Sequence, residues 1–109
     1  LYANELAENS ITPKTKTSDA DKIARDCLSQ AGYGEYFTHS LGHGVGTEIH
    51  EYPFLSPSGE GTIENGMVFT IEPGVYFNNK FGIRIEDTVL MKDGKIERLF
   101  TDEKKLIIL

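Results

Sequence analysis

The chain lacks most of what would tie it to a membrane, a nucleic acid or an oxidising compartment. Cys27 is its single cysteine, so no disulfide can form within it. A lone thiol fits a reducing compartment, and a cytoplasmic location is the expectation. Tryptophan is absent and proline occurs four times. Positive charge is scarce, with 11 Lys and Arg against 17 Asp and Glu and a net charge of −6. Lys104-Lys105 is too short to make a basic patch, which excludes a nucleic-acid surface. No apolar run approaches the length of a membrane span and no secretory leader is visible, so no membrane partner is expected. Internal repeats and low-complexity tracts are absent as well.

What remains is 109 residues of ordinary globular composition, enough for one domain with a modest core. The sequence opens at Leu1 inside a helical pattern: Tyr2 and Leu6 are four apart, as are Ala3 and Ala7. Both features suggest a piece of something longer. Ile11 to Thr17 reads as a connector, with Pro13 barring easy helix continuation. Ser18-Asp19-Ala20-Asp21 has the spacing of a capping box. Behind it Ala20, Ile23, Ala24, Cys27, Leu28 and Ala31 form one stripe at helical period. The spacing predicts a helix over Asp19 to Ala31, stopped by Gly32. It places Cys27 on the apolar face as a small buried side chain, and Asp19, Asp21 and Asp26 in the cap or on the solvated face.

After Gly34 the pattern changes. Gly42, Gly44 and Gly46 bracket His43 and would be costly inside a helix or strand, but they let backbone pass close to a ligand or another strand. Pro53, Pro57, Gly59 and Gly61 predict a loop. Asn65-Gly66 reads as a turn into a strand over Met67 to Ile71. Further strands are predicted over Gly74 to Phe77, Gly82 to Met91 and Lys95 to Phe100, the last two joined at Lys92-Asp93-Gly94. Leu106 to Leu109 reads as a terminal apolar strand or tail. Helices followed by antiparallel strands give an α+β class.

The chemistry-bearing residues crowd into the middle. His39, His43 and His50 are the only histidines and fall within twelve residues. Glu72 ends an apolar strand just before Pro73-Gly74, and Glu86 follows Arg84-Ile85. Imidazole with carboxylates from separate segments is a ligand mixture for a hydrolytic divalent-metal site. His43 and His50 are seven apart, an odd spacing that needs a bend or bulge if both face one cavity. His50-Glu51 does not begin a zinc-helix motif, because Phe54 stands where the second His belongs. A carboxylate at the end of a buried strand needs a partner, and Arg84 beside Glu86 and Asp87 offers simple ion pairs. From spacing alone, the metal site and the ion pairs explain these residues equally well.

The segments His39-Ser40-Leu41-Gly42-His43-Gly44-Val45-Gly46, His50-Glu51, Ile71-Glu72-Pro73-Gly74 and Arg84-Ile85-Glu86-Asp87, in this order, resemble the C-terminal half of the pita-bread metallopeptidases. That family includes methionine aminopeptidase, aminopeptidase P and prolidase. The resemblance extends from the predicted helix and its Gly32-Tyr33-Gly34 exit to the closing Lys105-Leu106-Ile107-Ile108-Leu109. Arg84-Ile85-Glu86-Asp87 and the placing of His39 resemble the Xaa-Pro branch, whereas methionine aminopeptidases usually carry a His directly after this last Glu.

The resemblance implies an α+β pita-bread fold, with helices packed on a curved antiparallel sheet and residues 1–109 forming the C-terminal part of a catalytic domain. It implies metal-dependent hydrolysis of the peptide bond before proline. His43, Glu72 and Glu86 match metal ligands. His39 and His50 match histidines that hold substrate and stabilise the tetrahedral intermediate, Arg84 matches a residue near the substrate carboxylate, and Glu72 is the expected proton shuttle. Two ions of Mn, Co or Zn belong to the family site, which has five protein ligands. The two aspartate ligands and a further catalytic histidine come from an N-terminal half that nothing before His39 resembles. This chain is therefore expected to bind at most one divalent ion, weakly, to be inactive alone, and to form dimers or exchange strands through exposed sheet edges. The alternatives are a non-catalytic binding module of this fold, a methionine aminopeptidase and a creatinase-like metal-free relative. The intact His43, Glu72 and Glu86 argue against the first and last, and Asp87 argues against the second.

Overall fold

The computed structural model describes residues 1–109. Two helices, α1 (Tyr2–Ser10) and α2 (Thr17–Gln30), precede seven strands: β1 (Gly42–Gly44), β2 (Glu51–Leu55), β3 (Val68–Ile71), β4 (Gly74–Tyr76), β5 (Gly82–Arg84), β6 (Asp87–Lys92) and β7 (Lys95–Arg98). Five strands form an antiparallel sheet in the order β2-β1-β3-β6-β7, and β4 pairs with β5 in a separate two-stranded sheet. Small side chains make the helix pairing close. Ala3 and Ala7 of α1, and Ala20 and Ala24 of α2, are buried at helical spacing. They join Ile11, Phe37, Leu41, Leu55, Ile63, Phe69, Ile71, Val89 and Met91 in one core. Burial of a side chain such as Phe69 or Ile71 contributes about 1.5–3 kcal/mol. No helix is long and apolar enough to cross a membrane.

The helix exit follows the sequence reading. Gly32 has φ +88°, Tyr33 N–H donates to Leu28 O at 2.8 Å and Gly32 N–H to Ser29 O at 3.0 Å, the paired bonds of a Schellman stop. The helix entrance differs. α2 begins at Thr17, two residues early, and Ser18 caps nothing. Thr17 N–H donates to Gly61 O at 3.1 Å and its hydroxyl to Glu60 O at 3.3 Å, so a distant loop satisfies the first turn in place of a capping box. The position of Asp21 is a second correction. It is 1 % exposed and lies on the packed side of α2 rather than the solvated face.

The strands are also redistributed. Gly42 to Gly44 and Pro53 to Leu55 belong to β1 and β2, where glycines and a proline argued for loop. Pro53 is tolerated because β2 is an edge strand. The single strand expected over Gly82 to Met91 is two strands in different sheets. Ile85 N–H donates to Pro73 O at 3.2 Å, and the switch of sheet falls at Ile85-Glu86. β7 ends at Arg98 rather than Phe100, and Leu106 to Leu109 form an exposed tail outside any strand. β6 and β7 are joined at Asp93-Gly94, as the sequence suggests.

A polar knot fastens α1 to β6 and to the chain beyond β7. Lys104 Nζ donates to Asp87 Oδ2 and to Asn4 Oδ1, both at 2.8 Å, and Asn4 Nδ2 donates to Asp87 Oδ2 at 3.1 Å. Glu8 faces this group, with Lys104 and Arg98 each 3.7 Å from its carboxylate. Burial, then hydrogen bonding and repulsion from Asp87, push the Glu8 carboxyl up to about 7, against the pull of Lys104 and Arg98. Burial alone would raise Asp87 too, but the hydrogen bonds from Lys104, Glu8 and Asn4 outweigh it and hold Asp87 below its ordinary range.

The two carboxyls act oppositely on stability. Glu8 binds its proton more tightly in the folded chain. Its contribution is complete below pH 4.5, its ordinary pKa, and is lost as pH rises through about 7. Asp87 contributes above pH 3.8, its ordinary pKa, and loses that contribution as pH falls through its lowered value. Wild-type stability is therefore expected to fall by about 1–2 kcal/mol between pH 5 and 8, a figure reduced for solvent screening. Glu8→Gln should flatten the decline and be the more stable chain at pH 8. Thermal melts of the two chains across that range, taken as a difference so that the histidines cancel, check this; parallel curves would sink it.

Candidate metal and substrate site

The ends of β1, β3 and β5 meet the segment before β1 around an open cavity of about 360 Å³, lined by His39, His43, His50, Glu72 and Arg84 among others. Five of the six residues singled out from the sequence thus share one cavity. Glu86 does not line it. Its carboxylate stands 4.0 Å from Arg84 Nε and is half-exposed at the change of sheet.

The odd spacing of His43 and His50 is resolved by a bulge. The β1–β2 register shifts between His43 and Gly44, and the two imidazoles meet edge to face, with centroids 4.5 Å apart. Close backbone approach fixes β1. A Cβ on Gly42 would sit well inside the Thr70 carbonyl, and one on Gly44 inside the Tyr52 carbonyl.

Glu72 is 8 % exposed, and every oxygen of its carboxylate has a neighbour. Thr70 Oγ1–H donates to Oε1 at 2.8 Å, His43 Nε2 lies 3.1 Å from Oε1, and Arg84 reaches Oε2 at 3.5 Å. Thr70 also accepts the His43 N–H at 3.1 Å, so one hydroxyl ties together the backbone of His43 and the side chain of Glu72. Both the ion pair and the metal-ligand reading of Glu72 have partners at hand.

The tautomer of His43 weighs between them. Nδ1 lies 2.9 Å from Gly44 O, a carbonyl that can only accept, so Nδ1 carries hydrogen. A neutral His43 then turns the lone pair of Nε2 toward Glu72 Oε1. Two acceptors at 3.1 Å call for a cation between them, either a proton or a metal ion. Two donor atoms each about 2.1 Å from one ion stand about 3.0 Å apart at a right angle and about 3.4 Å apart at a tetrahedral angle, and the separation here lies between. His43 and Glu72 fit a divalent ion on both counts. A third ligand does not converge: no group of three His, Cys, Asp or Glu side chains is placed to hold a metal.

His39 is held differently. Its Nδ1 is 2.8 Å from Ser40 O and its Nε2 is 3.0 Å from the Tyr76 hydroxyl. Nδ1 donates and Nε2 accepts from Tyr76. Gly74 makes room for the pair, since a Cβ there would lie 2.6 Å from the Tyr76 oxygen and 3.1 Å from His39 Nε2. Tyr76 and Thr70 escaped the sequence reading. Thr70 could have been found, because it lies two residues before Glu72 and so on the same strand face; nothing local marks Tyr76.

Comparison with known proteins places this geometry. The sequence pattern of metallopeptidase family M24 matches residues 1–93. An Xaa-Pro dipeptidase of Pyrococcus furiosus is 46% identical over 107 residues, which cover 98% of this chain and 31% of that protein. A crystal structure of a dipeptidase from Pyrococcus horikoshii superposes with a TM-score of 0.95 at 47% identity, covering 99% of this chain and 30% of that one. An Xaa-Pro dipeptidase from Bacillus anthracis gives 0.94 at 41% identity over 98% and 30%. The chain thus spans about 30% of the length of these relatives. A methionine aminopeptidase from Rickettsia prowazekii, at 18% identity and a TM-score of 0.72, shares the fold alone. The pita-bread α+β architecture expected from the sequence stands on these superpositions.

Proposed function

The chain belongs to metallopeptidase family M24, and from that premise we propose that residues 1–109 form the C-terminal part of the catalytic domain of an Xaa-Pro peptidase. Family membership implies divalent metal ions. The observation that carries the reading is the pair of facing acceptors, His43 Nε2 and Glu72 Oε1, at 3.1 Å. In the proposed site His43 and Glu72 hold an ion of Mn, Co or Zn, and Glu86 completes the contribution of this chain. A bound ion supplies hydroxide at neutral pH and polarises the scissile carbonyl; the family site holds two.

The remaining work falls to the side chains of the chain. Thr70 fixes one Glu72 oxygen by hydrogen bonding, which leaves Oε2 to take up and return a proton. His50 is exposed at the cavity edge and donates to the oxyanion that develops at the carbonyl. Arg84 is half-exposed beside Glu72, and its free guanidinium face takes the carboxylate of the substrate. His39 lines the same wall and orients the residue before proline. The substrate is a peptide with proline second.

A chimera tests this reading. This chain replaces the matching C-terminal third of the Pyrococcus furiosus dipeptidase, and Xaa-Pro hydrolysis is measured with manganese. Activity is expected in the chimera, none in the chain alone, and a fall in kcat of about 10²–10³ on His50→Ala, the cost of losing one oxyanion donor. A folded chimera that hydrolyses nothing overturns the proposal.

A further inference from the structure

The Asp21–Arg25 pair on α2 belongs to no site described so far, yet it grips the segment that leads into β1. Arg25 Nε and one terminal nitrogen donate to the two oxygens of Asp21 at 2.7 and 3.1 Å. Two of its three remaining N–H groups reach Phe37 O and His39 O, both at 2.9 Å. Asp21 Oδ1 accepts the Leu41 N–H at 2.9 Å. The groups gripped sit at residues 37, 39 and 41, alternate positions on one edge of an extended segment. A side-chain ion pair thus does for this segment what a neighbouring strand would do. The guanidinium also lies 4.2 Å from the centre of the Phe37 ring, and that ring meets the His39 imidazole edge-on at 5.1 Å. Leu41 O in turn accepts the Glu72 N–H at 2.7 Å. The chain of contacts runs from α2 through one residue, Leu41, to Glu72.

We propose that Asp21 and Arg25 are positioning residues, which set the place of His39 and, through Leu41, the backbone of Glu72. The functional consequence rests on the proposed role of His39 and Glu72; the positioning itself does not. Desolvation favours this assignment over a merely stabilising ion pair. Asp21 is 1 % exposed and Arg25 27 %, and such a pair is weak evidence for stability, so its use is sought in the geometry it imposes. Four of the five guanidinium N–H groups have acceptors, aimed in three directions. Lysine, with a point charge, cannot reproduce that fork.

The test is the imidazole NMR spectrum of the chain. Phe37 displaces the His39 ring protons through its ring current, and His43 and His50 report on each other. In Arg25→Lys the His39 displacement should fall by about half or more, as the edge-on contact loosens, while the His43 and His50 signals move less, because Leu41, and through it Glu72, is held by Asp21, which the substitution keeps. Lys22→Ala, which breaks an exposed pair with Asp26 on the same helix, should move none of the three. Unchanged His39 signals in Arg25→Lys, or equal movement of all three histidines, overturn the proposal. Should Arg25→Lys fail to fold, the wild-type chain decides: resolved, slowly rotating Arg25 terminal nitrogens support the grip, and a freely rotating guanidinium overturns it. If His39 responds but a His39→Ala chimera keeps its activity, the peptidase reading of His39 falls and the positioning stands.

Discussion

Replacing Glu72 by glutamine is expected to remove divalent-ion binding from this chain, with little change in its fold. Wild type should take up at most one ion per chain, with a dissociation constant of about 0.1–1 mM, because only His43 and Glu72 bring donor atoms together. Arg84 weakens the site further, since its guanidinium stands 3.5 Å from Glu72 Oε2 and a cation must share that carboxylate with it. Thr70 and His43 meet the same oxygen, Oε1; glutamine with its amide nitrogen in that place donates one N–H to His43 Nε2 and the other to the Thr70 hydroxyl, which turns to accept it, so the variant should fold. It lacks the charge, and the loss of affinity should exceed the roughly 10–100-fold cost of removing a supporting contact. Arg84→Met should act the other way and tighten binding about tenfold by removing the competitor. Titration calorimetry with manganese and with zinc checks all three chains. Two tight sites per wild-type chain, or an unweakened site in Glu72→Gln, would refute the assignment.

The sequence made the site more legible than the fold around it. His39, His43, His50, Glu72 and Arg84 could be picked out because three histidines crowd into twelve residues and because the segments that carry all five, in their order, resemble a known family; spacing alone left simple ion pairs as good an explanation. Glu86 could be picked out by motif but not placed, because its position depends on a change of sheet at Ile85-Glu86. That change goes with the bond from Ile85 N–H to the Pro73 carbonyl between β3 and β4, and no local pattern records it. β1 and β2 were obscured for a related reason. Gly42, Gly44 and Pro53 are poor strand residues by propensity, and only the close approach of the Thr70 and Tyr52 carbonyls shows why the two glycines are needed.

Asp21 shows the opposite kind of failure. Its spacing from Ser18 suggested a cap, and its charge suggested solvent. The acceptors that Arg25 needs lie twelve and fourteen residues away, at Phe37 and His39, and an acidic residue on a helix gives no hint of them. The pair at i and i+4 was visible in the sequence, but such pairs are far more often exposed. Burial, not spacing, separates the two cases, and burial is a tertiary fact.

Gly42→Ala is expected to be the most damaging small substitution in the chain, at about 3 kcal/mol or more, near the upper end for overpacking. The added Cβ would fall inside the carbonyl of Thr70 on β3, which is backbone of a buried central strand and cannot turn aside. Either β1 lifts from β3 or Thr70 moves. Both outcomes disturb the hydroxyl that joins the His43 N–H to Glu72 Oε1, so lost stability and a disordered site should appear together. Gly32→Ala is the control. It has φ +88° and nothing within 4 Å of the new methyl group, so its cost is conformational alone, about 1–2 kcal/mol. Urea denaturation gives both numbers, and manganese titration of the folded chains shows whether the site follows stability. Gly32→Ala should bind the ion as wild type does, and Gly42→Ala should not, even at temperatures where it remains folded. A Gly42→Ala chain that matches Gly32→Ala in stability would mean that β1 and β3 separate freely, and the Thr70 link between His43 and Glu72 would lose its standing as the feature that builds the site.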